Sequence, residues 1–268
     1  MMLEACFVLG LLAGTLSGFF GIGGGVIVVP ALCWLFVHFH VVPSPWAVKV
    51  AIATSLAIMI MTLLSAVWAH WRQQSVRWDI FRPMLPWVIL GTFLGTVLAY
   101  FLPAEALKIF LALFMLVMGG RLLLRHAKGS AIHRDKGLPV SRRALVAVAL
   151  AASTLAGVLG VSGGVLLGPV FLRSGLTVAE SAGTSVVCGL AIGLCATAVF
   201  VLAGATTMSL PGGTGYIYWP AFFGVSVASV LSAPLGARLT QVLPREVSRR
   251  LLGMLLVGMS LSMFFSAR

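Results

Sequence analysis

The chain has 268 residues, of which 60% are hydrophobic and only 9% charged, and its mean hydropathy is +1.10. A soluble domain of this length has no use for so much apolar surface, so the solvent is largely lipid. The 18 Lys and Arg against 6 Asp and Glu give a formal charge of +12. No basic helix interleaved with aromatics carries that charge, which argues against nucleic acid; the basic residues lie between apolar segments, where they set topology.

From the N-terminus, Met-Met-Leu-Glu-Ala-Cys lacks the basic start of a cleaved signal peptide, so the first apolar run is expected to remain in the protein. That run, Leu3–Phe39, is too long for one helix across a 30 Å core. Spanning helices are expected at Val48–Ala69, Met84–Leu102 and Pro103–Leu124. Arg121–Arg143 follows, a polar stretch with seven Lys/Arg and one Asp, too small to be a domain. Ala144–Leu172 is again an awkward length, and Ser181–Ala203, Tyr216–Ala237 and Pro244–Phe265 are the last expected spans. The chain therefore divides into a first membrane repeat (1–124), a basic cytoplasmic linker (125–142) and a second membrane repeat (143–268).

The repeat is written in glycine. Gly18-Phe-Phe-Gly21-Ile-Gly23-Gly24-Gly25, with Pro30 five residues on, returns 139 residues later as Gly157-Val-Leu-Gly160-Val-Ser162-Gly163-Gly164, followed by Pro169. Thr54-Ser55 returns as Thr184-Ser185, and Gly95, Leu102-Pro103 and Glu105 return as Gly236, Leu243-Pro244 and Glu246. Shared landmarks in one order indicate duplication. Each glycine segment reads as a re-entrant helix hairpin broken at its glycine cluster; a single kinked helix is the alternative. Charge separates the two readings. With the linker cytoplasmic, re-entrant hairpins invert the second half and place 15 Lys/Arg inside against three outside, whereas single crossings leave 11 against seven. The expected fold is an all-α polytopic membrane protein of two inverted repeats, each a re-entrant hairpin plus three transmembrane helices.

A helix that restarts inside the membrane presents N–H groups without intrahelical acceptors, and its dipole adds partial positive charge. Such an end binds anions. The expected substrate site is lined by Gly23, Gly24, Gly25, Ser162, Gly163 and Gly164, with hydroxyls from Thr54, Ser55, Thr184 and Ser185, and suits a compact oxyanion. Close helix packing is the competing explanation for the glycines, and back-bonding or interhelical bonding for the Thr-Ser pairs. Lys49, Glu180 and Arg173 are further candidates: Lys49 and Arg173 to attract anions at an entrance, Glu180 to carry a coupled proton. Interfacial anchoring is the simpler reading of the first two.

No catalytic set emerges. Gly160-Val-Ser162-Gly163 has the form of an intramembrane serine protease motif, but none of the five histidines lies in a later span to serve as base. The four cysteines show no metal or redox spacing, so no metal or cofactor is expected.

The motifs Gly18-Phe-Phe-Gly-Ile-Gly-Gly-Gly with Pro30, Ala53-Thr54-Ser55 and Gly183-Thr184-Ser185 resemble the TauE/SafE family of sulfite and organosulfonate exporters, also called the toluene sulfonate uptake permeases. The resemblance runs over essentially the whole chain and departs at Ser162, where the first copy has Gly23. It implies a multi-pass carrier of the bacterial cell inner membrane, exporting small sulfur-containing or organic anions, coupled to protons. A passive anion channel or an uptake permease is the alternative. The expected partners are the anion, protons and the lipid bilayer. The oligomeric state is open, a homodimer included.

Overall fold

A computed structural model of the chain describes residues 2–20, 25–124, 142–205, 210–242 and 245–265. The first half holds α1 (Met2–Phe20), α2 (Gly25–His38), α3 (Ser44–Arg72), α4 (Trp78–Phe101) and α5 (Ala104–Leu124). The second holds α6 (Arg142–Leu159), α7 (Gly163–Arg173), α8 (Val178–Ala205), α9 (Trp219–Val242) and α10 (Arg245–Phe265). A two-residue antiparallel ladder, β1 (Gly213–Thr214) with β2 (Ile217–Tyr218), turns the chain into α9. Residues 125–141 of the basic linker and Leu243-Pro244 lie outside the described residues, while Arg142, expected to close the linker, opens α6.

Among the described residues, four helices are long and apolar enough to cross a membrane: Pro45–Arg72, Trp78–Phe101, Ala104–Leu124 and Val178–Ala205. Large apolar side chains such as Phe101, Leu113 and Leu202 point outward from such helices, as expected of a surface solvated by lipid. α9 and α10 contribute the described apolar stretches Trp219–Ser232 and Arg250–Phe264. The two helices after the glycine segments are shorter. At 1.5 Å per residue, α2 reaches about 21 Å and α7 about 16 Å, less than a 30 Å core.

Packing partners are exchanged between the halves. α1 packs along α9, and its counterpart α6 packs along α4; α3 packs on its own counterpart α8, and α5 on α10. Close approaches give the directions. Gly10 lies against Val225 and Ala228, and Gly14 against Ser229 and Ser232, so α1 and α9 run parallel. Gly91 against Leu150 and Ser153, with Gly157 against Thr92 and Thr96, makes α4 and α6 parallel too. α3 and α8 are antiparallel, because Gly193 meets Leu56 and Ile60 while Gly189 meets Leu63. α5 and α10 are antiparallel as well: Ser260 donates to the Ala112 carbonyl, whereas Gly253 packs on Leu123.

α3 is the most enclosed of the four long spans. Every residue from Ala47 to Met59 is buried, and the run brings Lys49, Thr54 and Ser55 into the centre of the bundle.

Candidate functional site

The second glycine segment is a true break. Gly160 and Val161 both donate their N–H to the Ala156 carbonyl, at 2.9 and 3.2 Å, ending α6. Gly160 has φ +68°, a left-handed conformation that glycine adopts without a Cβ penalty. Ser162 then caps α7, its Oγ accepting from the Gly164 N–H at 3.2 Å. The serine that looks like a nucleophile is thus a helix cap. α7 returns antiparallel along α8: Gly163 faces Gly189 and Ile192, and the Ser181 hydroxyl donates to the Gly168 carbonyl at 2.8 Å. The break therefore lies near the middle of α8.

In the first segment, Gly25 opens α2, while Gly23 and Gly24 lie outside the described residues. Gly25 sits where a Cβ would come within 2.8 Å of the Gly160 carbonyl oxygen and 3.6 Å of Ser55 Oγ. The start of α2 thus meets the break between α6 and α7. Gly160 in turn packs against Ile52 of α3 and Val29 of α2.

The two Thr-Ser pairs divide their labour identically. Thr184 Oγ1 accepts the backbone N–H of Arg77, just before α4, and Thr54 Oγ1 accepts that of Tyr218, just before α9; both distances are 3.1 Å. Each threonine fixes the start of a helix from the other half. The serines are different. Ser55 Oγ and Ser185 Oγ are buried with no hydrogen-bond partner, at equivalent positions. Each stands beside a restarting helix: Ser55 next to Gly25, and Ser185 next to Gly164 and Gly168. An orphaned buried hydroxyl is unfavourable. Ser55 Oγ lies against the first residue of α2, and Ser185 lies between Gly164 and Gly168 along α7, so each is a free donor beside a helix that starts inside the bundle.

The two mouths of this region differ. Where α3 ends, Arg77 bonds Asp79 at 2.7 Å and Glu180 at 3.1 Å, and these contacts raise the pKa of its guanidinium. Glu180 also accepts from the N–H and hydroxyl of Thr177, both at 2.9 Å, while Thr177 Oγ1 accepts the Glu180 N–H, a capping box for α8. A cavity of about 370 Å³ lined by Trp71, Arg72, Gln74, Val76 and Trp78 opens at this mouth. Arg173 is exposed at the end of α7. Where α3 begins, the buried Lys49 ammonium donates to the Tyr100 carbonyl and lies 5.6 Å from the ring centroids of Trp46 and Tyr100. Tyr216 packs against Trp46, Tyr100 and Phe200, and Tyr218 against Phe36. All three tyrosines of the chain converge here.

Arg77 and Tyr218 are contributors that the sequence reading passed over. The matching tryptophans Trp78 and Trp219, 141 residues apart like Pro103 and Pro244, were the signal that marks them. The cysteines take no part in a cluster: Cys6, Cys33 and Cys188 are buried singly, and Cys195 reaches only the Ile89 carbonyl.

A helical membrane protein with a helix break buried at its centre is the class defined by this arrangement. Residues 6–263 match the sulfite exporter TauE/SafE family, and the chain belongs to that family, whose members are membrane transporters rather than enzymes. It is 26% identical over 260 residues to a probable membrane transporter protein of Haemophilus influenzae, covering 97% of both chains. A probable membrane transporter protein of Methanocaldococcus jannaschii is 22% identical, over 98% of this chain and 96% of the relative. The probable membrane transporter protein YdhB of Bacillus subtilis is 28% identical, over 88% and 89%. No solved structure matches the chain.

Proposed function

We propose that the protein is a proton-coupled secondary carrier of the cell inner membrane that exports small sulfur-containing or related organic anions, such as sulfite or sulfonates. The observation that carries this reading is the pair of unpartnered buried hydroxyls, Ser55 and Ser185, each beside the first turn of a helix that starts inside the bundle. Donors fixed in a dry site stabilise a negative charge strongly. Among the described residues, no buried cation touches them to make the anion's departure slow. The proposed lining is Gly23–Gly25, Ser55, Ser162–Gly164 and Ser185, with Thr54 and Thr184 as the frame that aligns the facing helices.

The proposed architecture is two inverted repeats working by alternating access. Equivalent helices pack antiparallel, α3 on α8 and α5 on α10, as a two-fold axis in the membrane plane requires. The helix directions also support re-entrant hairpins. α6 runs with α4, α4 returns from α3 through a short turn, and α3 opposes α8. Hence α6 and α8 run the same way, and the α6–α7 segment ends on the side where it began.

Transport in proteoliposomes tests the reading. Sulfite, sulfoacetate, taurine, sulfate and acetate are offered with and without an imposed pH gradient. Uphill movement of a sulfur oxyanion driven by the gradient is expected. Strictly downhill current would make the protein a channel, and no flux of any of the five would remove the anion reading.

A further inference from the structure

We propose that Lys49 is a second anion-binding group, a relay between the helix-break site and the mouth where α3 begins, and that its contact with the Tyr100 carbonyl is the closed form of that mouth. The inference rests on the anion-carrier reading above. Lys49 is 9% exposed and is the single buried charged side chain among the described residues. Its neighbours are a main-chain carbonyl and two aromatic rings, none of which carries a full negative charge. No carboxylate pairs with it among the described residues. An interfacial anchor extends its ammonium to water; this one is turned inward, at the cost of desolvation.

Position supports a relay. Lys49, Ile52 and Ser55 follow one another at three-residue steps, so consecutive members are neighbours on the surface of α3. Ile52 packs on Gly160 at the break. Lys49 is about 9 Å from Ser55 along the helix axis. An oxyanion moving out from Ser55 along this strip meets the ammonium next. In the anion's absence, the Tyr100 carbonyl in the last turn of α4 supplies only the partial negative charge of a helix end. A full negative charge outcompetes it, which frees Lys49 from Tyr100 and uncouples the two helices at the mouth. Among the described residues the second half has no such buried group. At the Thr54-to-Thr184 spacing, the counterpart of Lys49 is Ala179, and at the other mouth Arg77 is already bonded to Asp79 and Glu180 while Arg173 is exposed. The relay serves one mouth alone.

Lys49→Gln keeps a donor for the Tyr100 carbonyl and removes the charge. Sulfite binding to purified protein is measured by calorimetry, and sulfite flux is measured in proteoliposomes of defined orientation, varying sulfite on each face in turn. Binding in detergent is expected to stay within about twofold of the parent. Half-saturation on the Lys49 face is expected to rise about tenfold, the factor for one charge-assisted bond, and to stay unchanged on the Arg77 face. If the glutamine variant does not fold, Lys49→Arg is expected to transport with a half-saturation shifted on that face alone. Half-saturation unchanged on both faces in a folded variant would reduce Lys49 to a structural tether. Binding in detergent weakened as far as in Ser55→Ala would place Lys49 in the central site and overturn the relay. A parent protein that binds no sulfite would overturn the carrier reading itself, a result distinct from either.

Discussion

Replacing Ser55 or Ser185 by alanine is expected to move stability and binding in opposite directions. In the empty protein each hydroxyl is buried without a partner. Leaving such a group unsatisfied costs about 1–3 kcal/mol. Removing it relieves that cost, less the slight packing attraction of a single oxygen atom, so each single variant should be about 1 kcal/mol more stable and melt higher. With an anion bound, the same hydroxyl donates to a charge, an interaction worth about 1.5–3 kcal/mol. Each variant should therefore bind sulfite roughly 10- to 150-fold more weakly. Thermal unfolding in detergent reads the first effect, and titration calorimetry reads the second on the same sample. The antiparallel register of α3 and α8 sets the two hydroxyls about 16 Å apart along the axis, so a small anion meets them in turn and the two losses are read separately. Variants that melt lower while binding sulfite normally would refute the assignment, making these serines packing residues and nothing more.

The threonines should behave in the contrary way. Thr184→Val leaves the Arg77 N–H without its acceptor, and Thr54→Val does the same to Tyr218, so each should lose about 1–3 kcal/mol in unfolding measurements. Gly91→Ala should destabilise by about 1–3 kcal/mol through overpacking. Adding Ser153→Ala should not restore it, because the Leu150 carbonyl remains 2.5 Å from the new methyl. Glu180→Gln preserves the capping box; pH-gradient-driven uptake into liposomes should persist, and its loss would make Glu180 the proton carrier.

The break between α6 and α7 was readable because a glycine cluster inside a long apolar run violates the pattern of a simple span. Helix ends were less legible. α3 extends from Ser44 to Arg72, beyond the expected Val48–Ala69, because polar and aromatic residues at both ends continue the helix into the interface. The Thr54-Ser55 and Thr184-Ser185 pairs stand out in the sequence, but their division into frame and orphan was hidden. It depends on N–H groups 164 and 107 residues away in sequence, brought opposite only by the packing of one half on the other. The β1–β2 ladder carries no periodicity at two residues per strand, so it left no trace in the pattern. The setting of Lys49 between Trp46 and Tyr100, with Tyr216 packed on both rings, was hidden for the same reason as the threonine roles.

The exchanged packing of α1 on α9 and α6 on α4 bears on the history of the chain. Gly14 faces Ser232 at one interface; at the other, Ser153 faces Gly91. These are corresponding positions, with glycine and serine traded between the copies. Two first halves assembled as a pair would set Gly14 against Gly91 and leave a gap at the seam. Two second halves would drive Ser153 against Ser232, where the helices already approach too closely for both side chains. Each half is thus the complement of the other, and both seams close only where a first half meets a second.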